Sequence, residues 1–247
     1  MKIRFPCDTL TPEKTAAEGR ERKGHGMELR IESIPRGETL RYLGIRGHAS
    51  AVDEAELTRL ERVLRDTARP RGVWRLLEIT ADGTLAGTAF RPAGASVQAL
   101  LTGCESAVLM AATLGAEVDA LLRRTGRISM ADAALLDALA NAAIESVCDR
   151  LCAELAGELH PRVLTPRFSP GYGDFPLSQQ PDFLAVLDMP RRMGVTLTPG
   201  GLMLPQKTVT ALMGVSDHPL GIKGRGCEGC AMAERCLYRK EGITCGK

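Results

Sequence analysis

From Ser129 to His160 apolar residues return at three- and four-residue steps: Leu136, Leu139, Ala140, Ala143, Val147, Leu151, Leu155 and Leu159. That is the period of a helix burying one face. Ser129 is a candidate N-cap with Asp132 three residues on, and Pro161, which has no N–H to donate, ends the run. Asp137, Asn141, Glu145 and Asp149 are spaced four apart on the other side and read as a solvated stripe. A second helix is predicted over residues 53–68, where Leu57, Leu60, Val63 and Leu64 share a face and Asp53 is the N-cap. Shorter helices are predicted over residues 115–124 and 183–193, the latter with Leu184, Leu187 and Met193 inward.

Strand patterns appear at residues 40–46, where Leu43 and Ile45 share a face, and at 73–79, 84–90, 162–164 and 208–215. The run 106–114 is almost continuously apolar and fits a buried strand. Asp82-Gly83 between two apolar runs predicts a hairpin, because a type I′ turn needs positive φ at both central residues. Residues 195–197 and 201–204 flank a Thr198-Pro199-Gly200 turn. Five or six strands among three or four helices, with one hairpin, predict a mixed α+β domain rather than a doubly wound sheet.

At 247 residues, 44% apolar and 25% charged, the chain has the composition of a globular domain with a full core. Its 32 basic and 30 acidic residues are interspersed, which gives no electrostatic footprint for nucleic acid. No apolar run approaches the roughly 20 residues that span a membrane, and residues 1–30 lack the apolar core of a signal peptide. The chain reads as cytoplasmic. Residues 1–28 are too polar to order themselves and are expected to be a disordered leader, with Met27 an alternative start. The expected organisation is that leader, an α+β domain over 29–222 and a cysteine-rich tail over 223–247.

Four of the eight cysteines, Cys227, Cys230, Cys236 and Cys245, fall within the last 21 residues. In a reducing compartment such clustering reads as metal binding before disulfides. Four thiolates can enclose zinc or anchor a [4Fe-4S] cluster, and this spacing does not choose between them. Cys148 and Cys152, four apart on the long helix, read as packing residues. No Gly-rich phosphate loop follows a strand, which argues against an ordinary Rossmann methyltransferase, dehydrogenase or kinase.

Residues 165–176, Thr-Pro-Arg-Phe-Ser-Pro-Gly-Tyr-Gly-Asp-Phe-Pro, carry three prolines and two glycines around Arg167 and Tyr172. Proline fixes φ and pushes its predecessor into an extended conformation, so this is a shaped loop. A β-branched run follows at Pro205-Gln206-Lys207-Thr208-Val209-Thr210.

The acidic-striped helix, the Arg167-x-x-Pro170-Gly171-Tyr172 loop and this last run together resemble the activation domain of cobalamin-dependent methionine synthase, closest to its free-standing form. The likeness spans residues 132–219 well and 40–124 more loosely. It implies a largely antiparallel twisted sheet with flanking helices. It also implies an activation subunit that binds S-adenosylmethionine and supports reductive remethylation of oxidised cobalamin on a separate methionine synthase. In these terms Arg167 grips the ligand carboxylate, and Ser169, Pro170 and Gly171 let it approach the main chain. Tyr172 places a ring and hydroxyl beside the corrin or adenosine, and Thr208 and Thr210 line the same cleft.

The family's two helix carboxylates, which meet a histidine of the cobalamin domain, fall on Asn141 and Glu145, so only one is a carboxylate here. The family's aromatic hydroxyl in the final strand is replaced by Leu212-Met213. The implied partners are a corrinoid protein carrying cobalamin and a flavodoxin or ferredoxin electron donor. The need for an electron favours [4Fe-4S] over zinc in the tail. The alternatives are an activator of another corrinoid methyltransferase, or a non-catalytic metal-binding adaptor with a vestigial cleft.

Overall fold

A computed structural model describes residues 27–45, 52–220 and 234. In chain order the first elements are β1 (Met27–Glu28), α1 (Arg36–Tyr42), α2 (Glu54–Thr67), β2 (Arg71–Glu78), α3 (Ala95–Leu101), β3 (Ser106–Thr113) and α4 (Ala116–Ile128). There follow α5 (Met130–Leu159), β4 (Val163–Leu164), α6 (Gln180–Leu187), α7 (Met189–Met193), β5 (Thr196–Leu197), β6 (Met203–Leu204) and β7 (Thr208–Ser216). Five strands form one antiparallel sheet in the order β1-β2-β3-β7-β4, while β5 and β6 pair separately. The fold is the expected α+β class, with helices on both faces of an antiparallel sheet.

β3 is the central strand and every one of its residues is buried. Its alternate side chains enter two different cores, which is why it reads as a continuous apolar run. Val108, Met110 and Ala112 pack with α2, α4 and α5; Ala107, Leu109 and Ala111 pack with α3, α6 and α7. α5 is 30 residues long, about 45 Å. α1, α2 and α4 also pack along it, so burial extends around most of its circumference.

The N-cap of α5 forms as expected, with Ser129 Oγ accepting from Asp132 N at 3.1 Å. Ser129 Oγ also donates to the Asp132 carboxylate at 2.8 Å, and Arg59 Nη2 donates to the same side chain at 2.8 Å. Ser129→Ala is expected to cost about 1 kcal/mol of stability, read as a lower urea midpoint at unchanged slope. An unchanged midpoint would mean the α4–α5 junction holds without this cap.

Four local expectations give way. Residues 40–46 were expected as a strand, but the chain up to Tyr42 belongs to helix α1. Pro35 is extended at its N-cap, and the fully buried Thr39 turns its hydroxyl back to Pro35 O at 3.1 Å. The two-residue alternation of Leu43 and Ile45 is too short to oppose that packing. Residues 84–90 are not a second hairpin strand. After a single bridge between Ile79 and Leu85 the chain turns at Gly87 (φ 72°) and drives Leu85 and Phe90 into the core beneath α6. The intervening turn is held by Asp82, whose carboxylate accepts from Thr80 and Thr84 and is drawn down to a pKa of about 2 by those bonds.

The helix expected over 183–193 is two helices. Asp188 adopts left-handed φ 51°, and Pro190 has no N–H to carry the hydrogen bonding on. Met27 and Glu28, expected to belong to the leader, instead pair as a strand with Gly72 and Arg71. Residues 1–26 and the four tail cysteines lie outside the described residues.

Candidate functional site

Residues 165–176 fold as a loop pinned to the sheet. Phe168 exchanges both backbone hydrogen bonds with Leu212 of β7, at 2.9 and 2.8 Å. Its ring stacks on Phe175 at 6.1 Å between centroids, and Phe175 in turn tilts against Phe183 of α6. Within the loop Gly171 N donates to Phe175 O at 2.9 Å and Phe175 N to Tyr172 O at 3.0 Å. Gly171 has φ 90°, a conformation that disfavours any Cβ. A Cβ there would meet Leu177 only at an ordinary 3.6 Å. Within the chain itself the glycine is therefore required by its backbone angle rather than by crowding.

This loop forms one wall of a cleft of about 670 Å³. The middle of α5, the start of α6, the β5–β6 hairpin and the first half of β7 complete it. Seven of the expected residues line it: Arg167, Ser169, Pro170, Tyr172, Glu145, Thr208 and Thr210. Gly171 belongs to the same loop without lining the cleft. Tyr172 is 69% exposed and stands at the rim with Leu177 (49%) and Leu202 (66%), so the mouth is apolar. Thr208 and Thr210 are buried, and their hydroxyls are engaged in the wall. Thr208 Oγ1 donates to Pro205 O at 2.8 Å and lies 2.8 Å from Thr113 Oγ1; Thr210 Oγ1 accepts from Gln180 Nε2 at 2.7 Å.

The acidic stripe of α5 is not simply solvated. Lys207 Nζ donates to Asp137 Oδ1 at 2.6 Å and to Asn141 Oδ1 at 2.7 Å, while Asn141 Nδ2 donates back to Asp137 at 3.0 Å. One and two turns further, Arg167 Nη2 donates to Glu145 Oε2 at 3.1 Å and to Asp149 Oδ1 at 2.6 Å. Asn141 is thus committed to Lys207 and lies outside the cleft lining, whereas Glu145 faces into it. The Arg167 side chain is 8% exposed, and its Nη1 is buried with no hydrogen-bond partner. A buried donor left unpaired is costly, so this nitrogen favours an incoming acceptor.

Two polar residues carry no signal in the sequence: Gln180, which lines the cleft, and Lys207, which stands beside it on the α5 stripe. Gln180 sits at the start of α6, where a polar residue reads as surface, yet it is 2% exposed. Lys207 precedes β7 in the run already singled out, and its spacing from a helix 66 residues away carries no local signal. Leu212 and Met213, which stand where the related family carries an aromatic hydroxyl, point into opposite cores and do not reach the cleft.

No family model matches the chain, and no curated protein matches it. A solved structure does: the MetH reactivation domain bound to AdoHcy. It superposes with a TM-score of 0.52 over 89% of this chain and 86% of that one, at 17% identity. The fold is that of the MetH reactivation domain.

At that identity the likeness is one of fold, and the side chains of this chain must carry any further reading. Cys148 is buried among α5 and sheet residues, and that burial pushes its thiol up, against the opposing pull of Arg167. It is a neutral packing group at ordinary pH, as is Cys104, pushed up to about 11 first by burial and then by Glu105. Among the described residues no group of three or more His, Cys, Asp or Glu side chains could hold a metal ion. No described helix is long and apolar enough to cross a membrane.

Proposed function

We propose that this chain is an activation subunit. It binds S-adenosylmethionine in the Arg167–Tyr172 cleft and supports remethylation of oxidised cobalamin carried by a separate corrinoid protein, foremost a methionine synthase. The observation that carries the reading is Arg167: a buried guanidinium on the cleft wall with one nitrogen unpartnered. A planar, always-charged fork of this kind suits the carboxylate of an amino-acid ligand. The cleft volume lies within the roughly 300–1,000 Å³ range of small-molecule sites. The fold neighbour carries AdoHcy, the demethylated product of this methyl donor.

The corrinoid, when docked, supplies the nucleophilic cobalt that takes the methyl group after one-electron reduction. This chain orients the donor: Arg167 fixes the carboxylate end, and Ser169, Pro170 and β7 form the walls. The apolar rim of Tyr172, Leu177 and Leu202 fits the flat apolar face of a macrocycle. Catalysis here is positioning, with the bond-making left to the cofactor.

The test is spectroscopic. A cob(II)alamin-loaded methionine synthase lacking its own activation domain is mixed with the full chain, S-adenosylmethionine and a low-potential reductant. Appearance of methylcobalamin only when the chain is present is the expected result. No conversion with that partner, but conversion with a different corrinoid methyltransferase, would reassign the partner; conversion with neither would overturn the activation role.

A further inference from the structure

Arg167 meets the cleft with part of its hydrogen-bonding capacity already taken. Both hydrogens of Nη2 are directed to α5 carboxylates, Glu145 at 3.1 Å and Asp149 at 2.6 Å, while Nη1 has none. A ligand carboxylate that binds bidentately across Nη1 and Nη2 must take one hydrogen of Nη2 from its present acceptor. The two acceptors differ. Glu145 lines the cleft and its side chain is 41% exposed. Asp149 lies one turn on, outside the cleft lining, and its side chain is 69% exposed. Releasing Asp149 into water costs little desolvation, so it is the partner that yields.

We infer that Asp149 is an internal competitor for the ligand's carboxylate, a specificity-determining residue that touches Arg167 rather than the ligand. This rests on the reading that Arg167 receives such a carboxylate. In the empty site Asp149 compensates a guanidinium that is buried and would otherwise keep only Glu145. On binding, the ligand's carboxylate replaces Asp149 and also satisfies Nη1, a gain that Asp149 in its present position does not supply. Ligands without a carboxylate leave the Asp149 contact in place and gain nothing from Arg167. The cleft thereby favours amino-acid-bearing nucleosides over truncated ones.

The experiment is calorimetric titration of the full chain and its Asp149→Asn variant with S-adenosylhomocysteine, a zwitterion with no net charge. 5′-Methylthioadenosine, which lacks the amino-acid end, is titrated in parallel. The asparagine keeps the shape but lacks the charge that holds the guanidinium. Asp149→Asn is expected to bind S-adenosylhomocysteine about two- to five-fold more tightly, the scale of an exposed ion pair, with methylthioadenosine affinity unchanged. Thermal melting of the variant checks that the fold is kept. An equal or weaker affinity for S-adenosylhomocysteine, or equal tightening for both ligands, would overturn the competitor role while leaving the binding reading intact. No binding of S-adenosylhomocysteine by the wild-type chain would overturn both.

Discussion

Arg167→Ala is expected to weaken S-adenosylhomocysteine binding by about 1.5–3 kcal/mol, roughly 10- to 150-fold in Kd. The magnitude follows from burial. At 8% exposure the guanidinium is shielded from water, so a charge-assisted contact there counts for more than one on an open surface. Truncation also leaves Glu145 unpaired at the cleft wall, facing the ligand's carboxylate with like charge. The fold should survive, because Glu145 and Asp149 are open enough for water to replace the lost partner. Arg167→Lys keeps the charge without the planar fork and should recover only part of the loss. Unchanged affinity in the alanine variant would place the ligand carboxylate elsewhere.

Phe175→Ala should be the most damaging single change in the loop, costing about 3–5 kcal/mol by denaturant unfolding. Phe175 is 2% exposed and links Phe168 of the loop to Phe183 of α6. Its backbone N–H and carbonyl close the turn through Tyr172 and Gly171. Removing the ring opens a cavity beneath the turn that carries Tyr172 and loosens the wall containing Ser169 and Pro170. Stability and ligand affinity should therefore fall together. A loss below about 1 kcal/mol would show that the backbone bonds of Phe168 and the Asp174 carboxylate hold the loop without this ring.

The elements that were legible in the sequence are those whose own pattern decides them. α5 repeats its apolar steps over more than six turns, β3 is apolar throughout because both faces are covered, and α2 carries its own cap in Asp53. The illegible ones owe their shape to distant partners. α3 starts where the Asp174 carboxylate accepts from Ala95 N at 2.6 Å and Ser96 N at 3.0 Å, across 79 and 78 residues of sequence. Gly94 before it has φ 107°, and a Cβ there would lie 2.7 Å from Asp174 O. Nothing within residues 95–101 announces that arrangement.

The site divides in the same way. The Pro- and Gly-punctuated loop around Arg167 and Tyr172 announces itself, and the residues drawn from it and from β7 do meet in one cleft. The pairing of the α5 stripe with Arg167 and Lys207 does not announce itself. A carboxylate every fourth residue looks the same whether water or a cation from another element faces it.

The proposed role of this cleft is to bind S-adenosylmethionine in the service of a docked corrinoid protein. The most direct measurement is anaerobic isothermal titration of the full chain with S-adenosylmethionine, alone and after adding a cob(II)alamin-loaded methionine synthase that lacks its own activation domain. Saturable binding that tightens when the partner is present is the predicted result, because a partner that docks preferentially on the ligand-filled cleft raises, by linkage, the affinity for that ligand. Absence of binding in both conditions would contradict the claim.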